Sequence, residues 1–414
     1  MIGVTAAQSG KTENLLDVIG QRLDERPVPT LYVGPTRDFL VDRFEPRLTD
    51  LFDQAPTLRD KIVRGRRMKK LTKWVSGVQV RLAYAGSAQA LKSDPIGLAL
   101  VDEYDGMLAV QKSGDPLVLV EARGATYADF TVGVVSTPSR GTVDVVKEAS
   151  GLEFWRRVEP QDLDSKIWVL FQEGTMHHWA WPCPHCDEFF IPRFRNLHWP
   201  EEATAIEAGR NAWLECPRCQ GTIIDDIKPA MNSRGLFVAP GQSIDKDGVI
   251  TGAAPESLTI SFWVSGLASP FVTFGARAEA YVLAEDTGDP GMIQAAINSG
   301  FGELYAPGGG VVPEWQEVAA LRIPYERNSV PVGVVFLVAS VDVQKNRLVY
   351  DARLPNGKMP RDPRRLSWLA FPRSALRIRG CGRCRRGPPD RKIPRSSACR
   401  ESPRRVLSRR AHGP

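Results

Sequence analysis

Gln8-Ser9-Gly10-Lys11-Thr12-Glu13 stands behind a short apolar run, Ile2 to Ala6, and ahead of Leu15, Leu16, Val18, Ile19 and Leu23 at helix-compatible spacing. A strand, a Gly-Lys-Thr turn and a helix together make the layout that holds a nucleotide's phosphates. Backbone N–H groups from Gln8 to Thr12 and the helix N-terminus face the anion, Lys11 reaches the terminal phosphates, and the Thr12 hydroxyl can ligate Mg²⁺. The full pattern asks for glycine at position 5, where this chain has Thr5. On these residues alone, an ordinary helix that happens to begin Gly-Lys-Thr is the competing reading.

A second motif favours the nucleotide. Leu98-Ala99-Leu100-Val101-Asp102-Glu103 is an apolar strand ending in two acids, the place where phosphate-loop NTPases keep their second metal-binding motif. Asp102 is expected to hold Mg²⁺ and Glu103 to orient and deprotonate the attacking water. Ser136-Thr137 follows the apolar run Thr131–Val135 in the same way; it reads either as a γ-phosphate sensor that couples hydrolysis to motion or as a simple Ser/Thr/Pro turn.

Further apolar runs at Thr30–Val33 and Val78–Tyr84, with helical patterns at Thr12–Leu23 and Asp38–Phe52, alternate strand with helix. That pattern predicts an α/β fold: a parallel sheet with helices on both faces and ligands at the strands' carboxyl ends. Beyond it come Cys183-Pro184-His185-Cys186 and, 29 residues later, Cys216-Pro217-Arg218-Cys219. Two Cys-x-x-Cys turns supply four thiolates in tetrahedral reach, so Cys183, Cys186, Cys216 and Cys219 are expected to form a zinc ribbon around structural Zn²⁺. His185 reads as a spacer within its turn. Four thiolates leave the metal no open position, which argues against catalysis there.

The charge is unevenly spread. The chain has 54 Lys/Arg and 48 Asp/Glu; residues 351–414 hold 19 of the former and 4 of the latter, leaving 35 against 44 in the first 350. A DNA site in the folded part must therefore be a local patch such as Arg64–Lys73, which also reads as a solvated face. No run approaches 18 apolar residues and no signal-peptide pattern opens the chain, so neither a bilayer helix nor export is indicated.

Ala306-Pro307-Gly308-Gly309-Gly310 reads as a linker. After it, Val330–Val341 is an apolar strand that delivers Asp342, the kind of carboxylate a two-metal nuclease places at its centre. From residue 351 the sequence turns Arg- and Pro-rich with no sustained period, which predicts disorder and suggests out-of-frame translation. Cys381 and Cys384 in this tail lack a partner pair.

The ordered combination resembles the large subunit of tailed-phage terminases, in its lambda-like (GpA) branch. The resemblance rests on QSGKTE at Gln8–Glu13, Pro35-Thr36, LVDEYD at Leu100–Asp105, STPS at Ser136–Ser139, the two cysteine turns, FWVSGLASP at Phe262–Pro270, the segment Asn298–Glu303 and SVDVQ at Ser340–Gln344. It covers about residues 2–350. It implies an ATPase that drives DNA packaging and a ribonuclease H-like endonuclease. Lys11 and Thr12 would bind phosphate and Mg²⁺, Asp102 the metal, Glu103 the hydrolytic water, Ser136 and Thr137 would couple, and Asp342 would hold one nuclease metal. It also implies ATP as the nucleotide, double-stranded DNA, a terminase small subunit and the prohead portal as partners, a homo-oligomer while packaging, and a place in the bacterial host cytoplasm.

On this reading residues 1–165 form the ATPase core, 166–230 the zinc-ribbon region, 231–310 the rest of the ATPase region with its linker, 311–350 the start of the nuclease and 351–414 the tail. Against the family pattern the chain reads as truncated at both ends, with DNA cleavage not expected. Arg123 is the candidate trans-acting arginine by its place between the acidic and STPS motifs. A helicase-like ATPase and a non-catalytic zinc-binding prophage remnant are the rival readings.

Overall fold

The computed structural model describes residues 1–63, 65, 68–110 and 114–306, and the strands Val338–Val343, Arg347–Arg353 and Trp368–Pro372. Backbone contacts divide the chain into two units, Met1–Gly309 and Gly310–Pro414.

The first unit is built on one large sheet. Its strands through the first half are β1 (Ile2–Thr5), β2 (Thr30–Gly34), β3 (Thr72–Val75), β4 (Val78–Tyr84), β5 (Leu98–Asp102) and β6 (Thr131–Ser136). A hairpin follows, β7 (Val145–Lys147) and β8 (Glu153–Trp155), then β9 (His177–Pro182) and β10 (Phe189–Phe190). Three short strands, β11 (Leu197–His198), β12 (Trp213–Glu215) and β13 (Thr222–Ile223), make a small sheet of their own; after them come β14 (Leu236–Val238), the hairpin β15 (Gln242–Ile244) and β16 (Ile250–Gly252), and β17 (Ser261–Val264).

The large sheet runs β10-β9-β17-β1-β6-β5-β2-β4-β3, with β14 also on β9. Every pairing from β9 across to β4 is parallel, and only β3, β10 and β14 join antiparallel. The five strands expected in this sheet all appear, while residues 330–337 of the expected strand Val330–Val341 lie outside the described residues. Strand alternation then sorts the core: Leu31, Val33, Ala99 and Val101 pack on one side with Ile167, Trp168 and Phe171 of the helix Lys166–Glu173. Tyr32, Leu98 and Leu100 pack on the other with Leu15, Leu16, Ile19 and Leu23 of the helix Lys11–Glu25. Each such side chain, fully buried, contributes about 1.5–3 kcal/mol of transfer free energy, so both helices are tied to the strands whose carboxyl ends they overlook.

The helical pattern seen at 38–52 is not one α-helix. Leu40–Phe44 is a π-turn, closed by the Glu45 N–H donating to the Leu40 carbonyl, and the helix Glu45–Gln54 resumes behind it. Pro46 explains the wider turn, since it lacks an N–H and its ring crowds the carbonyl four residues back.

In the second unit, β18 (Val338–Val343), β19 (Arg347–Arg353) and β20 (Trp368–Pro372) form an antiparallel sheet in the order β18-β19-β20. β19 runs through residue 351, and the apolar Trp368-Leu369-Ala370-Phe371 gives the supposedly structureless segment one strand of its own. Cys381, Cys384, the remaining tail residues, most of the linker and Arg64, Arg66 and Arg67 lie outside the described residues.

Candidate functional site

The turn between β1 and the helix Lys11–Glu25 has the backbone that a phosphate loop requires. Gln8 and Gly10 are both left-handed, with φ of 55° and 79°. A Cβ at Gly10 would meet nothing within 4 Å, so the positive φ, and not space, is what glycine relieves there. No side chain caps the helix at Gly10, which leaves its first N–H groups facing outward with the positive end of the helix dipole. Thr5 needs no glycine: it is the last residue of β1, paired with Val264 in extended backbone. The close-approach glycine sits instead on a facing segment, where a Cβ on Gly302 would come within 2.8 Å of the Ala6 nitrogen.

β5 and β6 end beside this turn because they flank β1 and β2 in the sheet. Lys11, 8% exposed, puts its Nζ 2.9 Å from Glu103 Oε1 and donates to Thr137 Oγ1 at 2.5 Å. Thr12 Oγ1 donates to Asp102 Oδ2 at 3.2 Å. Glu103 is left-handed (φ 57°) just past the end of β5, which swings its carboxylate away from the strand direction and toward Lys11. Ser136 Oγ accepts the Asp105 N–H at 3.1 Å, and Asp105 Oδ1 in turn accepts the Ile167 N–H at 2.8 Å. The hydroxyl at the end of β6 is thus one bond from the acidic motif and two from the helix Lys166–Glu173.

Two partners escaped the sequence reading. Tyr32 OH donates to Asp102 Oδ2 at 2.8 Å, with its ring stacked on Phe44 at 3.5 Å between centroids. In sequence it is one more aromatic of a buried strand, and only the register of β2 against β5 reveals its role. The other is the segment Ser265–Gly302, where Ser269 Oγ donates to the Gln8 carbonyl at 2.7 Å and the Ala7 N–H to the Ser299 carbonyl at 2.8 Å. Arg277 Nη2 lies 3.2 Å from the Gly266 carbonyl and 3.4 Å from that of Ala7.

Burial raises the Asp102 pKa, the Tyr32 and Thr12 hydrogen bonds opposing it, and raises that of Tyr32 well above normal. Among the described residues, Asp102 Oδ1 is buried with no hydrogen-bond partner. With the Thr12 hydroxyl alongside, that oxygen is the hard donor a divalent cation such as Mg²⁺ takes; the residues present fit the ion.

The four cysteines converge as their spacing predicts, all Sγ atoms lying within 4.8 Å of one another. The two turns repeat one geometry. Cys183 Sγ accepts the His185 N–H and Cys216 Sγ the Arg218 N–H, each at 3.4 Å. Asp187 and Gln220, the residues after the second cysteine of each turn, are both left-handed. N–H groups aimed at sulfur favour thiolates, the form that binds zinc. Burial nonetheless raises the pKa of Cys183 and Cys216, while the Gly221 backbone N–H lowers that of Cys219. His185 places Nε2 2.8 Å from the Thr222 carbonyl and so is committed elsewhere. The β9–β10 and β12–β13 connections carry the centre, so the large sheet and the small sheet each supply one cysteine turn.

Arg123 is not brought to the phosphate-loop turn. Arg123 donates to the Lys92 carbonyl at the opposite, amino-terminal end of β5, where its own carbonyl accepts from Ile96. Asp342 lies within β18 of the second unit, opposite Val349.

Comparison with known proteins bears on both units. Residues 1–237 match the model of the phage terminase large subunit gpA ATPase domain, and residues 259–353 that of the gpA endonuclease domain. The second match begins inside the first unit, since β17 pairs with β1. The terminase large subunit of Enterobacteria phage P21 is 23% identical over 371 residues, covering 83% of this chain and 52% of that protein. The chain thus spans about half the length of the curated relative it matches. Among solved structures, the HK97 bacteriophage large terminase aligns with a TM-score of 0.37 and 12% identity, over 90% of this chain and 58% of that one. The ATPase domain of the Thermus phage P74-26 large terminase aligns at 0.25 and 17%, over 34% and 60%. The chain belongs to the GpA family of phage terminase large subunits.

Proposed function

We propose that this chain hydrolyses ATP and that the hydrolysis drives DNA packaging by a terminase motor. The observation that carries the reading is the convergence of Lys11, Thr12, Asp102, Glu103 and Thr137 on one turn. Thr12 and Asp102 would hold Mg²⁺, which supplies charge neutralisation to the transferring phosphoryl group. Lys11 pairs with Glu103 and Thr137. Phosphate binding takes Lys11 away from both, leaving Glu103 free to accept a proton from the attacking water and releasing Thr137 at the end of β6. From there the Ser136–Asp105–Ile167 chain of bonds leads to the helix Lys166–Glu173, a route for coupling.

The partners belong to the same proposal: double-stranded DNA, a small subunit, the prohead portal and further copies of this chain, in the host cytoplasm. Among the described residues no helix is long and apolar enough to cross a membrane. Zn²⁺ at the four cysteines is structural in this reading, and Asp342 is one nuclease metal ligand. The domain assignments 1–165, 166–230, 231–310, 311–350 and 351–414 are part of it.

The test is Mg²⁺-dependent phosphate release from ATP by the purified chain. Lys11→Ala is expected to weaken nucleotide binding by at least about tenfold, the scale of a lost charge-assisted contact. Binding equal to the parent's would refute the site.

A further inference from the structure

The segments Phe262–Pro270 and Asn298–Glu303 carry motif-like sequence but none of the groups assigned above to phosphate, metal or water. Both pack on the rear of the phosphate loop. A Cβ on Gly266 would meet the Gly300 carbonyl at 1.9 Å and Ala6 Cβ at 2.7 Å, so the segments are pressed together as well as against the loop. Trp263 Nε1 donates to the Gly302 carbonyl at 2.7 Å, fixing the second segment to β17.

Two side chains reach the loop's backbone from this side. Ser269 donates to the Gln8 carbonyl, and Arg277, from the helix Phe274–Asp286, to that of Ala7. The described peptide bonds are all trans, and in a planar trans unit the carbonyl and the N–H point in opposite directions. A rearward Ala7 carbonyl therefore turns the Gln8 N–H forward, and a rearward Gln8 carbonyl does the same for Ser9. Among the described residues neither of these amides donates to a protein acceptor. Buried Arg277 also brings a positive charge behind an anion site. Burial alone lowers its pKa, to about 10, so it stays protonated at neutral pH, and among the described residues its Nε has no partner.

We infer that Arg277, with Ser269, is a positioning residue for phosphate binding: the pair holds the Ala7 and Gln8 carbonyls on the rear of the loop and so presents the Gln8 and Ser9 N–H groups to the phosphates of a nucleotide. The inference rests on the nucleotide reading of the loop. It places a determinant of nucleotide affinity in residues matched to the endonuclease-domain model, about 270 positions along the chain from the loop itself.

The experiment measures the Kd of a fluorescent ADP with Mg²⁺ for the full chain and for Arg277→Gln, Arg277→Lys and Ser269→Ala, with each variant's melting temperature taken without nucleotide. Arg277→Gln is expected to bind about tenfold more weakly and Ser269→Ala about threefold, the scales of charged and neutral hydrogen bonds. Arg277→Lys, which keeps the charge, is expected to recover part of the loss at the same melting temperature as Arg277→Gln; a purely structural role would make affinity follow melting. Should Arg277→Gln fail to fold, Ser269→Ala decides, since it removes only a hydroxyl. Parent-like affinity in the folded variants overturns this inference and leaves the nucleotide reading standing. A parent chain that binds no nucleotide overturns both.

Discussion

The cysteine centre and the proposed nucleotide site are assembled in opposite ways. Each cysteine turn is local: five residues set the two sulfurs, the N–H groups that face them and the left-handed residue that closes the turn. The nucleotide site is distributed. Its groups come from the ends of β1, β2, β5 and β6 and from helix and loop residues as far away as Ser299, and only the strand order β1-β6-β5-β2 makes them neighbours. A local site has its geometry written in its spacing, while a distributed site inherits geometry from the sheet and can recruit residues that no spacing marks.

If the cysteine turns hold one closed tetrahedral metal, breaking them should have the largest effect. Cys216→Ser removes a buried thiolate from a four-ligand set, and zinc is expected to fall from about one per chain toward none. Structural zinc contributes on the order of 10–16 kcal/mol in small zinc domains, so a large loss of thermal stability should accompany it. His185→Ala is the internal control and should keep its zinc, because Nε2 faces the Thr222 carbonyl. Elemental analysis of the two variants decides; zinc lost from His185→Ala and kept in Cys216→Ser would invert the assignment.

In the distributed site, single groups should be separable by the step they serve. Glu103→Gln keeps the shape but cannot take a proton, so ATP turnover is expected to drop by about 10²-fold or more with nucleotide binding retained. Undiminished turnover would remove Glu103 from the role of base.

The same contrast explains what could be read in advance. The parallel sheet, its five marked strands and both cysteine turns follow from apolar runs and turn residues, which act over a few positions. Lys11, Thr12, Asp102 and Glu103 could be named as candidates because phosphate and metal chemistry restricts residue type and place at once, and the structure brings them together. Tyr32, Ser269 and Arg277 were not: a tyrosine in an apolar strand, a serine in a turn and an arginine on a helix have many bland roles, and their partners lie 70, 261 and 270 positions away. The strand Trp368–Pro372 was missed because five apolar-leaning residues among arginines and prolines carry too little period to stand out. The π-turn was missed because helical spacing tolerates one widened turn.

Tyr32 tests whether such hidden partners matter energetically. Tyr32→Phe preserves the stack on Phe44 and removes the hydroxyl from Asp102 Oδ2, leaving a buried carboxylate with only Thr12. A stability loss of about 1–3 kcal/mol is expected, the cost of a buried polar group losing its partner. Chemical denaturation measures it directly, and a loss below about 0.5 kcal/mol would make the contact incidental.

The smallest effect lies where the two regions meet. Glu303 is buried next to Gly302, its Oε1 accepting the Phe194 N–H at 2.7 Å. On the cysteine side, Arg193 lies 3.9 Å from the Trp155 ring and donates to the Glu153 carbonyl. Burial raises the Glu303 pKa above its ordinary 4.5, with Arg193 pulling the other way and losing. The folded chain therefore keeps this proton at pH values where the unfolded chain has released it. Stability from this group is present in acid and is lost as pH rises from about 4.5 through the raised pKa. Glu303→Gln keeps an acceptor for Phe194 and has no such slope. Its melting temperature relative to the parent should therefore climb as pH rises toward neutrality, whichever protein is the more stable at the start. A relative melting temperature that stays flat or falls over that range would mean that the Arg193 charge outweighs desolvation.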